Sequence, residues 1–406
     1  MRQNSKNNEL RGVYDNVMLP NYSPANFVPS KAEGSLVWDQ DDKEYIDFGG
    51  GIAVNSLGHS HPSLIKALTD QSKKIWHLSN YLTNEPAIKL ANKLTELTFA
   101  ENIFFSNSGS EANEAAIKIA RKYHSSRNEN RNEIVSFQNS FHGRSLLNIS
   151  LGSSEMHRNG FEPLMPGIKH GTFNDLSCLE ELITDQTAAV ILEPVQGEAG
   201  VFKATNDFMT KLNEVTSEKG ALLIIDEVQS GVGRMGSLYG YMNYGIQPDI
   251  VTSAKGLGGG IPIGATLTTK VIGESMQPGT HGSTFGGNPI ACAVAHEVLN
   301  IVSDEKFLSD VSKKERLFLN LLSDLESQGI FSDIRSAGLW IGCDLVDKSA
   351  NEVLDQAYGQ GLILVSAGSN CLRLAPALNI SNSEIEKGVE TVSYTHLRAH
   401  ETDSYL

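Results

Sequence analysis

Lys255 and Asp226 are the residues of this chain whose type and setting most invite chemistry. Lys255 ends the stretch DIVTSAK and precedes Gly256-Leu257-Gly258-Gly259-Gly260. A lysine at a strand end is partly desolvated, which lowers its pKa and frees a neutral amine for Schiff-base formation. Taken alone, it is a surface lysine beside a flexible loop. Asp226 follows Ala221-Leu222-Leu223-Ile224-Ile225, and a carboxylate at that depth needs a partner. Taken alone, it is one half of a structural salt bridge. LLIIDE also resembles the acidic strand end of nucleotide hydrolases, but those require GxxxxGK[ST], which the chain lacks. A third feature is Ser106-Asn107-Ser108-Gly109-Ser110, which leads directly into a helical pattern. Free backbone N–H groups and the helix dipole there favour a phosphate. Ser108 and Ser110 add hydroxyl donors and Gly109 permits close backbone approach. Taken alone, this loop is a plain N-cap. Together the three offer a lysine for an aldehyde, a carboxylate for a pyridinium nitrogen and a cradle for a phosphate. Those are the needs of pyridoxal phosphate.

The elements that must bring them together are legible as alternation. Apolar, β-branched or aromatic runs stand at 103–105, 134–137, 188–192, 221–225, 249–251 and 265–269, and helical patterns fall between several of them. The clearest helix runs over 111–123, where Ala112, Ala115, Ala116, Ile119, Ala120 and Tyr123 share one face. Strands alternating with helices predict an α/β fold with a mostly parallel central sheet covered on both faces. Ligands then bind beyond the carboxyl ends of the strands. The residues after five strands are SNSGSEANEAA, QNSFHGR, EPVQGEAG, DEVQSGVGR and TSAKGLGGG. One polar, glycine-containing loop means little, whereas five at successive strand ends predict one shared site. Residues 63–78 and 85–98 carry helical spacing, and 36–48 reads as two short strands around Asp41-Asp42. After about 297 the pattern changes to helices mixed with short strands at 339–345, 362–367 and 371–375. The expected division is 1–57 as part of a small domain, 58–296 as the large domain and 297–392 as the rest of the small one. Ser381 and Glu384 fit a capping box. Residues 393–406 show no apolar period and are expected to be a non-native or disordered tail.

Other residues are open to two readings. Arg144, after Phe141-His142-Gly143, is either a bidentate carboxylate ligand or a solvated loop arginine. Phe141 is a ring to stack on or a core residue, and His142 fits a hydrogen-bonded structural histidine. Arg373 lies inside an apolar run and needs an anionic partner, either a substrate or a protein carboxylate such as Glu198.

The chain of 406 residues has a formal net charge of −15. This argues against nucleic acid or an anionic membrane as the main partner. No run approaches the length of a membrane span. The cysteines Cys178, Cys292, Cys343 and Cys371 form no CxxC pair or metal-ligand pattern, so reduced thiols, a cytoplasmic location and no metal are expected.

ALLIIDEVQSGVGR, with SAKGLGGG following 29 residues after its aspartate, resembles the signature of class III (ornithine-type) aminotransferases. NSGSEANEAA, FHGR, EPVQGE and HGSTFGGNP do likewise, and the similarity spans about 22–389. Two departures are mild: Ser110 stands where threonine is common, and EAGV replaces EGGV. The resemblance implies the fold-type I architecture, with a large cofactor domain and a smaller α+β domain built from both chain ends. It also implies a homodimer acting on small molecules. Lys255 would carry the cofactor and shuttle the proton. Asp226 would pair with the pyridinium nitrogen and Gln229 with the phenolic oxygen, with Phe141 and Val228 sandwiching the ring. Ser108, Gly109 and Ser110 would hold the phosphate, with Thr284 completing the cradle from the partner copy. Arg144 and Ser283 would contact the donor, and Arg373 would bind 2-oxoglutarate with Glu198 covering it in the other half-reaction. The reaction implied is transfer of the terminal amine of N2-acetylornithine to 2-oxoglutarate, in arginine biosynthesis. Succinylornithine, in arginine catabolism, is a second candidate donor. The resemblance also admits transamination of succinyl-diaminopimelate, ornithine or 4-aminobutyrate, an aminomutase, and a binding protein that has kept the fold.

Overall fold

The computed structural model of the chain describes residues 5–397. Its centre is a seven-stranded sheet. The order across it is Asn102–Ser106, Gly264–Thr268, Ile250–Ser253, Leu222–Asp226, Thr187–Leu192, Glu133–Phe137 and Ile168–Gly171. Every pairing is parallel except those of Gly264–Thr268, which runs antiparallel to both neighbours. The two central strands, Thr187–Leu192 and Leu222–Asp226, are buried along their whole length. That is why they read as unbroken apolar runs rather than as alternation. One core fills one face of the sheet with Val135, Phe137, Val190, Leu192, Leu223, Ile225 and Val251, against Phe208, Leu212 and Val298. The other face carries Ile134, Ala189, Ile191, Ile224 and Ile250, under Ala116, Ile117 and Ala120 of the helix Gly109–Ser126.

The expected sheet differs from this one in two respects. The strand Ile168–Gly171 is an addition, because its sequence IKHG has too few apolar residues to signal a strand at the sheet edge. The reversal of Gly264–Thr268 leaves no mark in composition, since direction depends on the connection and not on the residues in the strand.

A second core gathers Ile46, Phe48, Phe318, Leu339, Ile341, Leu372, Leu374, Ile385 and Val389. It draws on both ends of the chain. Glu44–Asp47 pairs in parallel with Leu362–Ile363, while Phe331–Ser336, Ile341–Leu345, Cys371–Leu374 and Val365–Ala367 form an antiparallel sheet. The capping box forms as expected: Ser381 N donates to Glu384 at 2.8 Å and Glu384 N to Ser381 Oγ at 3.2 Å. The helix it opens, Asn382–Leu397, runs past the boundary expected at 392. Val392 is buried in this core, and one turn on the Tyr394 hydroxyl donates to the Glu390 side chain at 3.2 Å. The rest of the 393–406 tail lies outside the described residues. Among the described residues no helix is long and apolar enough to cross a membrane, and no cluster of His, Cys, Asp or Glu is arranged to hold a metal.

Candidate active site

The carboxyl ends of Asn102–Ser106, Glu133–Phe137, Thr187–Leu192, Leu222–Asp226 and Ile250–Ser253 open on one cavity of about 300 Å³. Ser108, Gly109, Ser110, Phe141, Asp226, Val228, Gln229 and Lys255 all line it, together with Asn113, His142, Glu193 and Val54.

Lys255 begins a short 3-10 turn, Lys255–Gly258, with φ of 43°. This is the left-handed region, where a side-chain-bearing residue is strained and where strain concentrates at functional positions. Burial lowers the pKa of its amine to about 8, with Glu198, Arg373, Glu193 and Asp226 making smaller, partly cancelling contributions. Asp226 is buried and saturated on one side. Its Oδ2 accepts from Asn113 Nδ2 at 2.8 Å and lies 2.7 Å from His142 Nδ1. Its Oδ1 accepts one bond, from Val228 N at 3.0 Å. A lone pair of Oδ1 is therefore left for a cationic ring nitrogen.

At the helix start, the Ser108 side chain caps Glu111 N at 3.2 Å. A Cβ at Gly109 would stand 2.5 Å from Val228 Cγ1, so no other residue fits between the loop and that wall. The Ser110 hydroxyl accepts from Asn148 at 2.6 Å. Phe141 is held through its backbone N–H, which donates to Glu193 at 2.9 Å. Burial, then the nearby Asp226 charge, push the Glu193 carboxyl well above the usual carboxylate range.

Beside the cavity, Arg373 donates through Nη1 to Glu198 at 2.6 Å and to Gln229 Oε1 at 3.2 Å. Gln229 Nε2 also faces Glu198, at 3.4 Å. Arg373 Nε is buried without a partner among the described residues. Burial raises the Glu198 pKa, but the Arg373 guanidinium and the Lys255 amine outweigh it and hold the carboxyl low.

Five expected residues are not in the cavity wall: Glu198 and Arg373, paired beside it, and Arg144, Ser283 and Thr284. Arg144 is exposed, with its guanidinium 5.4 Å from the Phe141 ring centre. Ser283 lies near the phosphate loop, accepting from Asn107 at 3.0 Å. Thr284 is exposed. Asn113 and Glu193 join the site without having been singled out in the sequence. Glu193 directly follows a fully buried strand, the same signal that marks Asp226. Asn113 is an amide within an alanine-rich helix face.

A buried carboxylate with one free lone pair, an amine of lowered pKa and a glycine-lined helix start fit pyridoxal phosphate. Comparisons with known proteins point the same way. Residues 17–395 match the family model described as aminotransferase class-III. The chain is 50% identical over 385 residues to the succinylornithine transaminase of Salmonella agona (strain SL483), covering 94% of each. It is similar to the solved N-acetylornithine aminotransferase from Stenotrophomonas maltophilia K279a, with a TM-score of 0.83, 34% identity and coverage of 96% of this chain and 99% of that one. It is also similar to the ornithine aminotransferase from Toxoplasma gondii, crystallized in the presence of oxidized glutathione with PLP at partial occupancy in its active site. There the TM-score is 0.93, at 29% identity over 98% of this chain and 96% of that one.

Proposed function

The chain belongs to the class III aminotransferases, which use pyridoxal phosphate, and from that premise we propose that it moves the terminal amino group of an N-acylated ornithine to 2-oxoglutarate. The observation that carries the reading is the Glu198–Arg373 pair beside the cavity. Glutamate and 2-oxoglutarate bring an α-carboxylate close to the reacting carbon. A terminal-amine donor keeps its own α-carboxylate far away. An arginine left bare would seize the donor by its carboxylate and present the wrong end. A glutamate that occupies the arginine in one half-reaction and releases it in the other supports both orientations in one site.

When bound, pyridoxal phosphate supplies an aldehyde to receive the amine and a ring to delocalise charge. The protein does the rest. Lys255 Nζ would take the proton from the substrate carbon and return it. Asp226, held by Asn113 and Val228 N with His142 alongside, would keep a ring nitrogen cationic. Phe141 and Val228 would confine the ring and Gln229 would reach its oxygen. Ser108, Gly109 and Ser110 would bind phosphate at the helix start. Arg144 and Ser283 would contact the donor, with Arg144 on its distant carboxylate.

Among acyl groups, the motifs alone favour acetyl. The 50% identity to a succinylornithine transaminase, against 34% to an N-acetylornithine aminotransferase, supports succinyl instead. That choice would place the reaction in arginine breakdown. Thr284 would complete the phosphate site of a partner copy in a homodimer. Four unpaired thiols support a reducing, cytoplasmic setting. We assign 58–296 to the cofactor domain and 1–57 with 297–392 to the small one.

The test is a donor panel with 2-oxoglutarate: succinylornithine, acetylornithine, ornithine, succinyl-diaminopimelate and 4-aminobutyrate. Highest kcat/KM with succinylornithine is expected. A preference for ornithine or 4-aminobutyrate would reject the acyl-ornithine reading.

A further inference from the structure

The loop that opens at Asp226 closes on a buried arginine, Arg234. Arg234 is 1% exposed. Its Nη1 donates to two backbone carbonyls, Leu339 O and Pro376 O, each at 2.7 Å. Its own carbonyl accepts from Leu339 N at 3.0 Å. Nη2 is buried with no partner among the described residues, and burial alone lowers the pKa of the group, with no carboxylate near enough to raise it. Burying a guanidinium without a counter-ion is costly, and an aliphatic side chain would fill the space at less cost. An aliphatic chain cannot, however, hold two carbonyls from separate segments at a fixed spacing.

One segment carries Arg373 and the other packs against the residue that precedes Glu198. Pro376 lies just beyond the strand Cys371–Leu374 that carries Arg373. Leu339 immediately precedes Trp340, whose wholly buried indole lies against Gly197: a Cβ there would stand 1.9 Å from Trp340 Cζ2. Gly197 immediately precedes Glu198. The same loop that ends in Arg234 also carries Gln229, which touches both members of the pair. One guanidinium thus ties together the chain that carries Arg373, the chain whose Trp340 packs against Gly197 beside Glu198, and the loop that carries Asp226.

We propose that Arg234 is a positioning residue that sets the spacing between Glu198 and Arg373, and through it the site's affinity for the dicarboxylate amino acceptor. The proposal rests on the reading of Arg373 as the carboxylate-binding residue given above. Pyridoxal-phosphate-loaded enzymes carrying Arg234→Met, Arg234→Lys and Arg373→Ala are compared with the unaltered enzyme in single-turnover half-reactions. Arg234→Met is expected to raise half-saturation by 2-oxoglutarate by about 2- to 30-fold. Its limiting rate and the near-visible absorbance of the cofactor should stay unchanged, and the acyl-ornithine half-reaction, whose donor carboxylate is held elsewhere, should be affected less. Arg234→Lys keeps the charge and reaches one carbonyl, so its effect should fall between. Equal losses in both half-reactions, or lowered stability in urea with half-saturation unmoved, would overturn the proposal. If Arg234→Met does not fold, Arg234→Lys decides: a selective rise supports the role, and an unmoved value rejects it. Arg373→Ala separates the two readings. No loss of 2-oxoglutarate affinity there rejects the assignment of Arg373 itself. A loss on the order of 100-fold there, with none at Arg234, rejects the positioning role alone.

Discussion

The Lys255 amine owes its lowered pKa to burial first and to its charged neighbours second. The neutral amine is the nucleophile, and its fraction rises with pH. Cofactor-free protein should therefore capture pyridoxal phosphate at a rate that climbs through pH about 8 and then levels. A lysine at its ordinary value would keep gaining to about pH 10.4. A stopped-flow pH series that still climbs past that point would contradict the burial account. Arg144 makes a second residue-level prediction. Arg144→Ala should slow the acyl-ornithine half-reaction by about 2 kcal/mol, the worth of a hydrogen bond to a charged group, and spare the glutamate half. Equal slowing of both halves in single-turnover kinetics would remove its assigned role. Asp226 is legible in the sequence because an ionisable residue after an apolar run is conspicuous, and Lys255 becomes legible because it ends the next strand and is read together with Asp226. Glu193 carries the same mark but is masked there by Glu198, which sits in the same loop and has an evident partner in Arg373. Asn113 and Arg234 are not legible at all. Their meaning comes from what they touch, Asp226 in one case and the carbonyls of Leu339 and Pro376 in the other.

At the level of elements, the five strand-end loops that read as one site line one cavity. What the sequence withholds is direction and edge. Gly264–Thr268 looks like any apolar strand yet runs against its neighbours, which brings its start beside the phosphate loop, opposite Ser106. A less visible element is the turn Gly50–Ala53, in which Gly50, Gly51, Ile52 and Ala53 all have φ between 53° and 64°. Asp47 pins it by accepting from Gly49 N at 2.8 Å and Gly50 N at 2.9 Å, and Val54 beyond it lines the cavity. GGIA reads as an ordinary apolar stretch, since a β-branched isoleucine normally avoids this conformation. The left-handed conformation costs a side-chain-bearing residue on the order of 1–2 kcal/mol. Ile52→Gly should thus raise the urea unfolding free energy by about 1 kcal/mol. An unchanged or lowered value would show that contacts of the exposed Ile52 side chain outweigh the strain.

At the scale of the whole molecule, one surface is unsuited to a monomer. Trp76, Tyr81, Leu82, Ile88 and Phe285 are exposed, and their segments adjoin. Asn80 donates to Ser283 O at 2.8 Å and Gly286 O at 3.1 Å, Asn288 to Trp76 O at 2.8 Å, and the His77 and Phe285 rings lie 5.1 Å apart. An exposed apolar patch of this kind suits the interface of the proposed homodimer, and the exposed Thr284 sits within it. If the proposed homodimer forms through this patch, Phe285→Asp should shift sedimentation from dimer toward monomer and weaken cofactor retention, because each copy would lose the threonine proposed to reach it from its partner. A monomer that keeps full activity would contradict that assembly. The central claim, that the terminal nitrogen of an acylated ornithine is what moves, has a direct test. Succinylornithine carrying heavy nitrogen only at its terminal amine is turned over with unlabelled 2-oxoglutarate, and the glutamate is analysed by mass. The geometry of Lys255, Asp226 and the Glu198–Arg373 pair predicts that all glutamate formed carries the label. Failure to form labelled glutamate would contradict it, since the acylated α nitrogen, an amide, has no amine to give.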